Sequence, residues 1–143
     1  LQLGEEMAYE KIAVTGGCGF LGNHIVTLLS NHATVTSIDV KELASNELSS
    51  INYVNASVTN LDQMKNALRG NNALIGLAAI PNPREAGLEL TFNTNVQEAW
   101  TVFQAAEEVG IKRVVIASSD SVFGFSYNLR TGNPACYQSM KHI

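Results

Sequence analysis

The sequence predicts an α/β fold, a doubly wound parallel sheet of about five strands with helices on both faces. Three observations carry that prediction. Short apolar or β-branched runs alternate with amphipathic stretches along most of the 143 residues, the order of strands joined by crossover helices. The run Ala73-Leu74-Ile75-Gly76-Leu77-Ala78 is apolar nearly throughout, as a strand covered on both faces should be. Between the first strand and the first helix lies Thr15-Gly16-Gly17-Cys18-Gly19-Phe20-Leu21-Gly22. Its glycines at 16, 19 and 22 allow a tight turn and close approach of backbone to backbone or ligand.

Taken in order, Leu1 to Glu10 reads as an N-terminal tail, with Met7 as the native start and Leu1 to Glu6 carried over from expression. Residues 11 to 143 read as one domain. Ile12 to Val14 is the first strand, and Phe20 to Asn31 the first helix, with Leu21, Ile25, Leu28 and Leu29 as its apolar stripe. Thr34 to Ile38 is rich in β-branched residues and ends on Asp39. Lys41 to Ser50 is polar and reads as loop or short helix, before a third strand at Ile51 to Val54. Asn60 caps a helix through Arg69 in which Leu61, Met64, Ala67 and Leu68 share a face. The fourth strand, Ala73 to Ala78, breaks at Pro81-Asn82-Pro83, and the loop at its carboxyl end should face a ligand. Leu88 to Val109 is a long helix stopped by Gly110, and its stripe through Phe92, Val96, Ala99, Trp100, Phe103 and Ala106 reads first as core. Arg113 to Ala117 is the fifth strand. Phe123 to Gly132 is loop, and Asn133-Pro134 opens a last helix from Ala135.

Composition narrows the function. A net charge of −4 argues against a polyanion-binding surface. The longest apolar run, Ala73 to Ile80, is far shorter than the ~20 residues of a membrane span, and Leu1 to Glu10 lacks the pattern of a secretory signal. Cys18 and Cys136 are far apart and have no metal-ligand spacing, which fits a reduced, cytoplasmic setting without a metal. His24, His32 and His142 show no partner spacing and read as surface or packing residues.

Two constellations carry chemistry. Gly16, Gly19 and Gly22, with a strand before, a helix after and Asp39 ending the next strand, form a dinucleotide-binding fingerprint of Rossmann type. Backbone amides at the helix start would meet the pyrophosphate. Asp39 would accept both ribose hydroxyls of NAD and repel a 2′-phosphate, although Lys41 stands close by. A plain tight turn and a solvated strand-end acid are the bland alternatives. The second constellation is Tyr137 and Lys141, four apart on one helical face. A nearby ammonium favours the phenolate, as an acid/base acting on a hydroxyl requires. Alone, such a pair is more often a core aromatic and a surface charge.

The ordered set Thr15-Gly-Gly-x-Gly-Phe-Leu-Gly22, Asp39, Leu77-Ala78-Ala79, Asn95-Val96, Ser118-Ser119 with Val122-Phe123-Gly124, and Tyr137-x-x-x-Lys141 resembles the extended short-chain dehydrogenase/reductase family, also called the NAD-dependent epimerase/dehydratase family. The resemblance implies NAD as cofactor, bound by Gly16, Gly19, Phe20, Leu21, Gly22, Asp39, Ser57, Val58, Leu77, Ala78, Ala79, Asn95, Tyr137 and Lys141. It implies a catalytic set of Ser119, which hydrogen-bonds the reacting oxygen, Tyr137 as acid/base, and Lys141 as the residue that tunes the tyrosine. The implied reaction is transient hydride transfer from a hydroxyl of a sugar or sugar nucleotide. Asp120 falls where dehydratases of the family keep an acid, and reads equally as a loop acid.

The sequence also departs from the family. Ser57 stands where relatives usually place an Asp toward adenine, Phe123 replaces the usual Tyr, and Ser119 and Tyr137 are closer together than in typical members. Relatives continue well past Lys141, so the substrate-binding C-terminal part is expected to be absent from this chain. Family members dimerise through the helices at 88–109 and 134–143, which implies a homodimer here. Two other readings stay open. The Ser118-to-Phe125 run resembles uronate dehydrogenases, which release NADH, and a chain of this extent could be a non-catalytic NAD-binding module. Cys18 reads as a small packing residue or, beside a helix N-terminus, a redox-sensitive one.

Overall fold

In a computed structural model, residues 9–41, 51–81 and 86–119 are described. The chain runs β1 (Lys11–Thr15), α1 (Phe20–Leu29), β2 (Thr34–Asp39), β3 (Ile51–Asn55), α2 (Leu61–Leu68), β4 (Ala73–Gly76), α3 (Leu88–Phe92), a π-helical turn (Asn93–Gln97), α4 (Glu98–Val109) and β5 (Arg113–Ile116). The strands form a single parallel sheet in the order β3-β2-β1-β4-β5. β1 lies at its centre, with Ile12 beside Val35 on one flank and Ala73 on the other. The chain builds outward from β1 through β3, then crosses to β4 and builds the other way, so the order reverses between β1 and β4. Loops leaving the two strands diverge there and open a crevice at their carboxyl ends.

Period-two alternation feeds two cores. Ala13, Ile38, Leu74, Met64, Leu68, Val102 and Ala105 pack on the face covered by α2 and α4. Ile12, Val14, Val35, Ile51 and Ala73 pack with Val26 on the face covered by α1. The sheet is therefore wound on both sides, as the alternation of segments predicts. Asn60 caps α2, its side chain accepting from the Gln63 amide, and Gly110 closes α4 in the left-handed conformation.

Two expected apolar stripes sit differently. On α1 the inward residues are Gly22 and Val26, with Ile25 and Leu29 against the core, while Leu21 and Leu28 are exposed. Glycine at 22 brings the helix so close to the turn that the face beside it, and not the Leu21 face, meets the sheet. The long helix buries Glu98, Thr101, Val102, Ala105 and Ala106 and leaves Phe92, Val96, Trp100 (73% exposed) and Phe103 (53%) outward. The core thus takes the face of smaller side chains, and the aromatic stripe expected as core is surface. Strand and helix ends otherwise differ from expectation by a residue or two; β4 stops at Gly76, so Leu77 and Ala78 belong to the following loop. The expectations for the tail at residues 1–8, for residues 42–50, for Asn82-Pro83, and for everything from Asp120 onward, including Tyr137, Lys141, Cys136 and His142, lie outside the described residues.

Candidate functional site: a cavity at the switch point

The glycine turn is fixed by steric exclusion. Gly16 has φ +69°, and a Cβ there would stand 2.7 Å from the Cα and N of Ala78. A Cβ at Gly22 would drive into the Gly16 carbonyl oxygen. Any side chain at either position would push α1 from the turn or the turn from the 77–79 loop. The Gly16 amide donates to the Ile38 carbonyl at 2.8 Å and the Gly19 amide to the Gly16 carbonyl at 3.0 Å, which ties the turn to the end of β2. α1 begins at Gly19 with no side-chain cap and no acid in its first turn. Its positive end is left for an anionic group.

Asp39 is held from two sides. Its Oδ2 accepts the Cys18 amide and its Oδ1 the Lys41 amide, each at 3.0 Å. A carboxylate offers about four lone-pair sites; among the described residues two are taken, which leaves two toward a diol. The Cys18 thiol donates to the Lys41 carbonyl at 3.6 Å. Burial pushes the thiol upward in pKa, the Asp39 charge adds to this, and the Ser37 hydroxyl and Lys41 pull more weakly the other way. The thiol form is favoured, against the redox-sensitive reading of Cys18.

A cavity of about 630 Å³ opens beside this turn, within the ~300–1,000 Å³ range of small-molecule sites. It is lined by Gly16, Gly19 and Asp39, by Ser57 and Val58 after β3, and by a wall of Leu77, Ala78 and Ala79, whose Ala78 backbone lies against Gly16. Eight of the expected cofactor residues are thus brought together. Phe20, Leu21 and Gly22 form the first turn of α1, outside that lining, and the Phe20 ring lies tilted at 54° to that of His24, 5.0 Å away. Ser57 is engaged locally: its amide donates to Gln63 Oε1 at 2.8 Å, and its hydroxyl lies 2.9 Å from that of Thr59. Asn95 is also outside the lining, but it clamps the wall. Its Oδ1 accepts the Ile80 amide at 2.8 Å and its Nδ2 donates to the Ile80 carbonyl at 3.0 Å. Leu90, Asn93, Thr94 and Gln97 close the outer side. Ser119 lies exposed just past the end of β5, on the edge where the parallel strands all finish. Tyr137 and Lys141 lie outside the described residues.

Sequence reasoning missed one feature of the site. Thr15 is fully buried, and its hydroxyl donates to Glu98 Oε1 at 3.3 Å while accepting the amides of Leu77 at 3.2 Å and Ala78 at 3.4 Å. Glu98 itself is 6% exposed. Burial raises its pKa to about 7, partly opposed by the Thr15 hydrogen bond. A signal was present: Glu98 stands three, four and seven residues before Thr101, Val102 and Ala105, the register of a helical core face.

The fingerprint turn, the tethered acid and the cavity between them fit a dinucleotide. The family model for the NAD dependent epimerase/dehydratase family matches residues 12–138. The chain belongs to that family. Among curated relatives, it is 32% identical over 112 residues to an L-arabinose 1-dehydrogenase (NAD(P)(+)) of Haloferax volcanii, covering 78% of this chain and 42% of that protein. It is 31% identical over 130 residues to a 3 beta-hydroxysteroid dehydrogenase/Delta 5-->4-isomerase of Monkeypox virus, covering 85% and 36%. Among solved structures, it is similar to MoeE5 in complex with UDP-glucuronic acid and NAD, with a TM-score of 0.71, 30% identity, and coverage of 80% of this chain and 38% of that one. The chain therefore spans about two fifths of the length of these family members.

Proposed function

We propose that this chain is the NAD-binding part of an oxidoreductase of the epimerase/dehydratase type that acts on a hydroxyl of a sugar or sugar nucleotide. The observation that carries the reading is Asp39, held by two backbone amides at a cavity whose 77–79 wall the glycine turn touches. The two acceptor sites left on that carboxylate among the described residues suit a ribose diol, and its charge disfavours a 2′-phosphate, so NAD is preferred over NADP. Gly16 and Gly19 with the α1 terminus would hold the pyrophosphate; Ser57, Val58 and the 77–79 wall would enclose the adenosine end. When bound, NAD supplies a hydride acceptor. Tyr137 takes the proton of the substrate hydroxyl, Lys141 stabilises the phenolate, and Ser119 hydrogen-bonds the reacting oxygen.

The likeness to an arabinose dehydrogenase favours a second reading, a simple sugar dehydrogenase that releases NADH. Titration of the full-length protein with NAD, followed by turnover on UDP-sugars and free aldoses or uronic acids, separates the possibilities. NADH accumulating in step with substrate supports the dehydrogenase; a converted sugar without net NADH supports the epimerase or dehydratase. Tyr137→Phe should abolish turnover while NAD still binds. Tight NAD binding, unchanged by Tyr137→Phe, with no turnover on these sugars or on a 3β-hydroxysteroid would favour a non-catalytic module.

The reading includes a homodimer through the 88–109 helix and the 134–143 segment. It is supported by the outward Phe92, Val96, Trp100 and Phe103 stripe. Among the described residues no helix is long and apolar enough to cross a membrane. The free Cys18 thiol fits a reducing cytoplasm, and the negative net charge fits a protein without a nucleic-acid partner.

A further inference from the structure

We propose that Glu98 is a positioning residue for the cofactor: through the Thr15 hydroxyl it fixes the Leu77–Ala78 backbone that walls the cavity lined by Asp39. The inference rests on the reading of the cavity as a dinucleotide site. It starts from the hydrogen-bond capacity of Thr15, which has one proton to give and two lone pairs. Both lone pairs are used by the amides of Leu77 and Ala78, so the proton has one direction left, toward Glu98. Without an acceptor there, the hydroxyl would turn its proton elsewhere and withdraw a lone pair from the loop. Leu77 would keep a second partner, since its amide also donates to the Thr15 carbonyl at 3.2 Å. Ala78 would lose the one partner its amide has among the described residues.

Ala78 is the residue whose backbone the Gly16 position touches most closely. A shift there moves the cavity wall and the glycine turn together. The acid is an expensive choice for a site this buried: a carboxyl taken from water is pushed toward its neutral form, and Glu98 is pushed to about 7. In either protonation state it still presents a carbonyl-type oxygen to Thr15. An apolar side chain of similar volume would fill the same space without that acceptor. The role therefore separates from packing, because Glu98→Gln keeps the acceptor and Glu98→Met keeps only the volume.

The test is calorimetric titration of the full-length protein with NAD, alongside thermal unfolding without it, for wild type, Glu98→Gln, Glu98→Met, Thr15→Val and the Thr15→Val/Glu98→Met pair. The expected result is affinity weakened about tenfold in Glu98→Met and in Thr15→Val, and within about twofold of wild type in Glu98→Gln. The double variant should be no weaker than the worse single one, because both substitutions break one chain of bonds. Should Glu98→Met fail to fold, Thr15→Val and Glu98→Gln still decide, since valine is nearly isosteric with threonine. The proposal is overturned if Thr15→Val or Glu98→Met binds NAD like wild type, if Glu98→Gln loses as much affinity as Glu98→Met, or if the two single effects add in full. It is also overturned if affinity merely follows the unfolding temperature across the series. Wild type that fails to bind NAD overturns the cofactor reading itself, and this inference with it.

Discussion

Two carboxylates at the ends of adjacent bond networks behave oppositely. Asp39 is half-buried at the cavity and accepts two backbone amides; Glu98 is enclosed, with one hydroxyl for company. Under the proposed reading, replacing Asp39 by Ala removes the ribose acceptor and the charge that disfavours a 2′-phosphate. NAD affinity should fall by about tenfold or more, and the NADP-to-NAD ratio should rise, as read by titration with both nucleotides. Glu98 makes a prediction about stability. Its folded-state pKa of about 7 lies above the ordinary 4.5, so between those values the folded protein holds a proton that the unfolded chain has released. The contribution to stability is therefore greatest below pH 4.5, falls as pH rises through the window, and is level above about 7. Denaturant unfolding at pH 5 and pH 8 should show this fall in wild type and lose its Glu98 part in Glu98→Gln. That variant should be the more stable at pH 8 by on the order of 1–2 kcal/mol. Asp39 was legible in the sequence because its position follows from local order: strand end, fixed distance from the glycines. Glu98 was harder to read: its spacing to Thr101, Val102 and Ala105 put it on the core face, but its partner is 83 residues away and a glutamate inside a long helix reads by default as a solvated charge.

At the scale of elements, the strands and the helix caps were legible because each is set by neighbours in sequence. Ile12 to Val14 and Val35 to Ile38 are buried runs wherever they pair, and Asn60 caps α2 through its own next turn. The faces of α1 and the long helix were harder to read. Hydrophobicity picks out an apolar stripe, but which stripe meets the sheet depends on how closely the helix can approach. Gly22 on α1, and Ala105 and Ala106 on α4, allow the closer approach. The π-helical turn at Asn93–Gln97 was not legible: Asn93, Thr94, Asn95 and Val96 are weak helix formers, but such a stretch inside a helical pattern does not reveal a widened turn. Its position has a clear use: Asn95 grips Ile80 through two bonds, and neighbouring residues face the cavity. Asn95→Ala should release that grip. Hydrogen exchange at residues 77–80 should quicken, at a local cost of about 1–2 kcal/mol, and NAD affinity should weaken while the remainder of the sheet keeps its protection.

At the scale of the whole molecule, all five strands finish on one edge, so the glycine turn, Asp39 and the 77–81 wall line one cavity there although they are spread across the sequence, and Ser119 follows β5 on the same edge. The ordered motifs made that edge legible. The aromatic stripe on the outer face of the long helix sets the prediction at this scale. Trp100→Glu should turn a dimer into a monomer in light scattering, with NAD affinity in the monomer within a few-fold of wild type. A wild type that is monomeric across micromolar concentrations would remove the homodimer from the reading. The widened turn ahead of Glu98 also sets the phase of the helix that follows it. A helix that takes up one surplus residue in a single loop of its spiral keeps the segments before and after it in phase, whereas a surplus anywhere else would swing everything downstream by about 100°. Five residues at 93–97 therefore let Asn95 reach Ile80 while Glu98 stays inward and Trp100 outward.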